Sequence, residues 1–123
     1  MKYYAKVISL NSDIEEEVVL SFGGDVIYCF VNSCAYNLHE GEIYPIDMVL
    51  TFLDDERIEP SNDECLSVKR NGNGFSYSIN GLMMNGVVYA DGIAFEHESF
   101  SDFEYLNKSC VKVVPDRITV SFL

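Results

Sequence analysis

The sequence predicts an all-β domain: a small barrel or a two-sheet sandwich of seven to nine antiparallel strands, with one short helix. Three observations predict it. Short runs rich in Val, Ile, Tyr and Phe recur along the whole chain, and such side chains fit a pleated, half-buried surface. Clusters of Gly, Asn and Pro separate the runs and punctuate them with turns. No stretch carries the extended apolar period of a long amphipathic helix, and there is no strand–helix–strand rhythm. At 123 residues the chain reads as a single domain, 1–123. That length buries a core without metal or disulfide help.

Residues 2–10 set Tyr4, Ile8 and Leu10 on one side and Tyr3, Ala5 and Val7 on the other, the alternation of a strand. Asn11-Ser12-Asp13 is a turn. Two apolar runs, 18–22 and 26–31, flank Gly23-Gly24-Asp25 and read as a hairpin. Residues 32–40 form a loop or a single helical turn. The longest apolar-rich run is 43–53. Pro45 lacks an N–H, so the first half of that strand is expected at a sheet edge or a bulge.

A short strand at 66–70 precedes the turn Asn71-Gly72-Asn73-Gly74, and Phe75, Tyr77 and Ile79 then share one face. Asn80-Gly81 and Asn85-Gly86 are expected to bracket Leu82-Met83-Met84. Residues 87–95 read as one strand bent at Asp91-Gly92. Phe100, Phe103 and Leu106 recur every three residues, the pattern of a short helix over 99–106 capped by Ser99 or Ser101. Residues 111–114 and 117–122 close the chain as strands.

Charge is the most informative functional quantity. Twenty acids against eight bases give a net charge of −12. A chain this acidic is repelled by phosphate backbones and anionic lipid, so neither nucleic acid nor a membrane is expected as partner. A basic protein or a divalent cation fits better. Fifteen of the acids fall in three groups, 13–17, 54–64 and 91–104, the last without a Lys or Arg. From the second and third come the candidate partner-binding residues: Asp54, Asp55, Glu56, Glu59, Asp63, Glu64, Glu96, Glu98, Asp102 and Glu104. Charged loops that only keep the chain soluble are the competing reading.

No catalytic set, metal site or cofactor is expected, and the chain does not read as an enzyme. His39 and His97 each lie among glutamates, but neither has metal-ligand spacing, and both are expected to be solvated. Cys29, Cys34, Cys65 and Cys110 make no Cys-x-x-Cys pair. Cys29 and Cys110 begin or occupy apolar strands and read as small buried hydrophobes. The segment 54–64 lacks the alternating acids and central glycine of a calcium loop. Asn71-Gly72-Asn73-Gly74 lacks the lysine of a phosphate loop. Phe75 and Tyr77 are aromatic enough to stack bases, yet they read as a core face. Residues 1–7 show no export signal, and no run reaches the roughly 18 apolar residues of a membrane span. A cytoplasmic location with free thiols is therefore expected.

In overall character, and in the acidic loop Asp54-Asp55-Glu56, the chain resembles the immunity proteins of bacterial toxin–immunity systems, including the partners of contact-dependent growth-inhibition toxins. The resemblance implies a cytoplasmic binding protein that blocks a basic toxin domain such as a nuclease. A weaker likeness rests on Gly41-Glu42-Ile43-Tyr44-Pro45-Ile46-Asp47-Met48-Val49-Leu50 and on Val113-Val114-Pro115-Asp116-Arg117-Ile118-Thr119-Val120. These segments are similar to OB-like barrels, which implies binding of an oligonucleotide or another ligand, although a basic strand face is missing.

Overall fold

The structure, a computed structural model, describes residues 1–22, 24–62 and 66–123. Its strands are β1 (Lys2–Leu10), β2 (Glu17–Phe22), β3 (Asp25–Ser33), β4 (Ile43–Thr51), β5 (Ile58–Pro60), β6 (Ser67–Arg70), β7 (Tyr77–Met84), β8 (Val87–Ala90), β9 (Ile93–Glu96), β10 (Cys110–Val113) and β11 (Arg117–Phe122). A 3-10 helix, Glu98–Leu106, joins β9 to β10. The fold is all-β, as the sequence predicts, with eleven strands rather than seven to nine.

Five strands close a barrel in the order β1-β2-β3-β11-β4. Ala5, Val7, Leu20, Ile27, Ile46 and Ile118 fill it, following the period of two along each strand. After β4 the chain leaves the barrel and builds a second sheet of six strands. The order there is β5-β10-β7-β8-β9, with β6 also paired to β7. The chain then returns as β11 between β3 and β4. The β3–β11 pair is parallel, which departs from the all-antiparallel expectation. A hairpin turn must reverse the chain, whereas so long an excursion permits either direction. The buried side chains of both sheets form one apolar cluster.

Several elements differ from expectation for local physical reasons. Residues 87–95 are two strands, not one. Asp91 (φ 49°) and Gly92 (φ 74°) both adopt left-handed backbone, which makes a tight reversal rather than a bend. Asn80-Gly81 is no break, because β7 runs straight through it. A Cβ at Gly81 would sit 2.5 Å from Val88 Cγ1 and 2.8 Å from the Tyr89 carbonyl oxygen, so the glycine permits close β7–β8 approach. Pro45 is not on a sheet edge. It pairs with Tyr4, and its carbonyl accepts from the Leu123 N–H. N and C=O of one strand residue point the same way, so the missing N–H falls where the β11 ladder has ended.

The strand directions define two ends. The mouth carries the β1–β2 and β3–β4 connections, residues 11–16 and 34–42. At the base lie Met1, the β2–β3 turn, and the exit and return of the inserted sheet.

Candidate functional site

The outer face of β2 and β3 is covered by the inserted sheet. Ile27 and Cys29 point into the barrel, so Tyr28 and Phe30 point outward. The Arg70 guanidinium lies 3.6 Å from the Tyr28 ring centroid and 3.7 Å from the Glu17 carboxylate. The Tyr28 N–H donates to the Tyr77 hydroxyl at 2.8 Å. Burial pushes the Tyr77 phenol above its ordinary pKa, against the lowering effect of that N–H. Phe75 meets Phe30 edge-on at 5.4 Å, and Arg117 stacks on the Phe30 ring at 4.0 Å. Tyr77 is thus buried in the core, as expected, while Phe75 is half-buried with its ring against Phe30 rather than part of the core. At the base, Arg57 pairs with Asp116 at 2.7 Å, and Asp116 also accepts from the Leu53 N–H at 2.8 Å. All three arginines of the chain therefore lie in the seam between barrel and insert.

A different contact organises the acids. Phe52, just past β4, packs edge-on against His97 with ring centroids 5.0 Å apart. His97 precedes the helix and caps it, its Nδ1 accepting from the Ser99 N–H at 3.1 Å. In that arrangement the neutral ring carries its proton on Nε2. The ring also leans on Phe100 at 5.9 Å. Two expectations are corrected here: His97 is half-buried rather than solvated, and it is His97, not Ser99 or Ser101, that caps the helix. An N-cap needs a side-chain acceptor, and an imidazole held between two rings supplies one.

Through this contact the loop bearing Asp54, Asp55 and Glu56 starts beside the helix bearing Glu98, Asp102 and Glu104. All six carboxylates are exposed, and among the described residues none forms an ion pair. Glu96 differs: it accepts from the Met1 amine, which also bonds Asp47 at 3.0 Å. Burial lowers the pKa of that amine, but the hydrogen bonds and charges of Glu96 and Asp47 outweigh it and hold it above its ordinary value. Glu59 stands opposite Lys112 in the β5–β10 ladder. Asp63 and Glu64 lie outside the described residues.

The remaining acid group, 13–17, is at the mouth, away from the other two. Asp13, Glu15 and Glu16 are exposed there, while Glu17 accepts from Asn11 at 2.7 Å. A cavity of about 630 Å³ separates this loop from residues 31–38. His39 is exposed at the same end, its N–H donating to the Tyr44 hydroxyl at 2.8 Å. The two histidines therefore stand at opposite ends of the barrel and do not converge.

Burial pushes the Cys29 thiol far up, so it stays protonated. Cys110 is half-buried rather than sealed, Cys34 is half-buried at the mouth, and Cys65 lies outside the described residues. Among the described residues no three His, Cys, Asp or Glu side chains are grouped to hold a metal ion.

Fold and surface define a class: a closed five-stranded barrel with a six-stranded sheet inserted before its last strand and an acidic edge at its base. The chain belongs to the family described as Uncharacterised conserved protein UCP019853, whose model matches residues 1–123. Comparison with curated proteins and with solved structures gives no match. No described helix is long and apolar enough to cross a membrane.

Proposed function

We propose that this chain is a non-enzymatic protein-binding module that docks a basic partner on the acidic edge at the barrel base. The observation that carries the reading is the Phe52–His97 contact, which joins two acid segments of a strongly acidic chain, and Asp54, Asp55, Glu56, Glu98, Asp102 and Glu104 form no ion pair among the described residues. Such an edge accelerates encounter with a cationic surface and selects for it. In keeping with the resemblance to immunity proteins, the partner is a toxin domain of the nuclease type, and the chain neutralises it in the cytoplasm by covering its substrate-binding surface. Co-expression with the product of the adjacent gene, followed by gel filtration, tests this. A stable complex that weakens as salt rises supports it. A chain that holds no protein partner counts against it.

A second reading is favoured by the barrel itself. Five strands closed as β1-β2-β3-β11-β4 are the arrangement an OB-type barrel would take, with the inserted sheet in place of the loop before its last strand. OB barrels bind ligands on the face of their second and third strands. Arg70, Phe75 and Tyr77 occupy that face here, which favours the protein-binding reading. Tight binding of a single-stranded oligonucleotide at low salt would reverse the preference.

A further inference from the structure

Beside the acidic edge lies a groove with an apolar floor and polar walls. One cavity of about 490 Å³ is lined by Val49, Leu50, Gly86, Glu96, His97 and Glu98. In a second, of about 390 Å³, Met83, Phe100 and Phe103 share the lining with the polar Asn85, Ser101, Glu104 and Asn107. Gly86 borders both, so the two adjoin across the β7–β8 turn. Leu50, Met83 and Phe100 are almost wholly buried and form the floor, while Val49 is 39 % exposed. Glu96, Glu98 and Glu104 stand on the rim, and among the described residues no Lys or Arg lines either cavity. Tyr105, 75 % exposed, lies with its ring 6.1 Å from Phe103.

The walls are tied in place. The Asn85 N–H donates to Asn107 Oδ1 at 2.9 Å, and the Lys108 N–H to the Met83 carbonyl at 2.7 Å, so the turn is fastened to the helix end. His97 is held by its own cap bond and by two rings. Walls that are already ordered leave less freedom to lose when something binds. An exposed aromatic beside an apolar floor is the usual composition of an energetic anchor point.

We infer that this groove is the anchoring part of the docking surface, and that it receives a protein segment whose apolar side chains alternate with Lys or Arg. Charge complementarity selects the occupant: the floor takes Leu- or Phe-like side chains, and Glu98 and Glu104, unpaired among the described residues, face the cations between them, Glu96 being already paired with the Met1 amine. The inference rests on the protein-binding reading and adds to it the seat and chemistry of the partner's anchor. Acids alone would set the encounter rate, whereas the groove sets residence.

The test titrates the isotope-labelled full chain with a short peptide of alternating Leu and Lys, and with a matched peptide of Ser and Lys. Amide signals are followed at physiological salt. The Leu/Lys peptide is expected to shift Val49, Leu50, Gly86, Phe100 and Phe103, and the Ser/Lys peptide is not. Val49→Lys puts a cation in the groove without touching the barrel interior, and should weaken the Leu/Lys peptide about tenfold. Phe103→Ala should weaken it as well, with the acids unchanged. If both peptides shift only residues 54–56 and Glu98, the acidic-edge reading stands and the groove is overturned. If neither peptide binds, both fall. Leu/Lys binding that is indifferent to Val49→Lys and Phe103→Ala also overturns the groove.

Discussion

The barrel face of β2 and β3 and the acidic edge at the base are opposite solutions to the same shortage of positive charge. The chain has only eight basic side chains for twenty acids. On the first surface arginines are concentrated: Arg70 lies between Tyr28 and Glu17, and Arg117 stacks on Phe30. A planar guanidinium stacks on rings and reaches carboxylates together, which suits it to a half-buried seam. On the second surface Asp54, Asp55, Glu56, Glu98, Asp102 and Glu104 stand with no ion pair among the described residues. Cations committed to closing the molecule on itself are unavailable to neutralise its edge. The first surface holds the insert on the barrel, and the second is the one we propose for a partner.

If barrel and insert are one cooperative unit, damage to either core should appear as the same loss. Leu20 is sealed in the barrel, and Phe95 is 1 % exposed in the inserted sheet. Phe95→Ala should cost about 3–5 kcal/mol and Leu20→Ala about 2–5 kcal/mol. Each should lower a single denaturant midpoint followed by both circular dichroism and tyrosine fluorescence. Two separated transitions would split the comparison into two independent domains.

Gly81→Ala acts on the insert alone. The new methyl would meet the Tyr89 backbone, which cannot swing away as a side-chain end can. A loss of about 1–3 kcal/mol is expected, read from the shift in the urea midpoint. A neutral result would mean that β7 and β8 pack less closely than described.

Arg70→Ala tests the seam. It removes the stack on Tyr28 and leaves Glu17, with 14 % of its side chain exposed, without its cation. About 1–2 kcal/mol of stability should be lost. Arg70→Lys should recover only part of it, because an ammonium lacks the flat face. Hydrogen exchange should quicken at Tyr28, whose N–H is bonded across the seam to Tyr77. Full recovery by lysine would reduce the seam to simple charge pairing.

Much of the fold is legible in the sequence because its signals are local. Alternation marks β1 and β7, and glycine-bearing turns mark the hairpins at 22–25 and 70–77. The three-residue spacing of Phe100, Phe103 and Leu106 marks the helix. Strand order is not legible: the β3–β11 pairing joins segments separated by the whole insert and leaves no local trace. A glycine in an apolar run allows a bulge, a turn or a close approach. Only the backbone angles at Asp91 and Gly92, and the Val88 contact at Gly81, decide which.

The acids themselves were plain from composition. Their meeting at the base depends on one tertiary contact, Phe52 with His97, and the arginine seam depends on ring faces that no spacing reveals. The imidazole cap could have been suspected from His97 standing two residues before Ser99 at a helix start.

We propose that the base edge, and not net charge in general, recruits the partner. Two variants separate these. Asp54→Lys, Asp55→Lys and Glu56→Lys together reverse the base edge. Asp13→Lys, Glu15→Lys and Glu16→Lys reverse the mouth by the same net charge, and all six positions are exposed. Neither triple variant should cost more than about 1 kcal/mol of stability. Association rates with the co-purified basic partner are then measured across a salt series. The base-edge variant should associate more slowly and show a flattened salt dependence, while the mouth variant stays close to the parent chain. Equal slowing by both variants, or a larger effect at the mouth, would contradict the account.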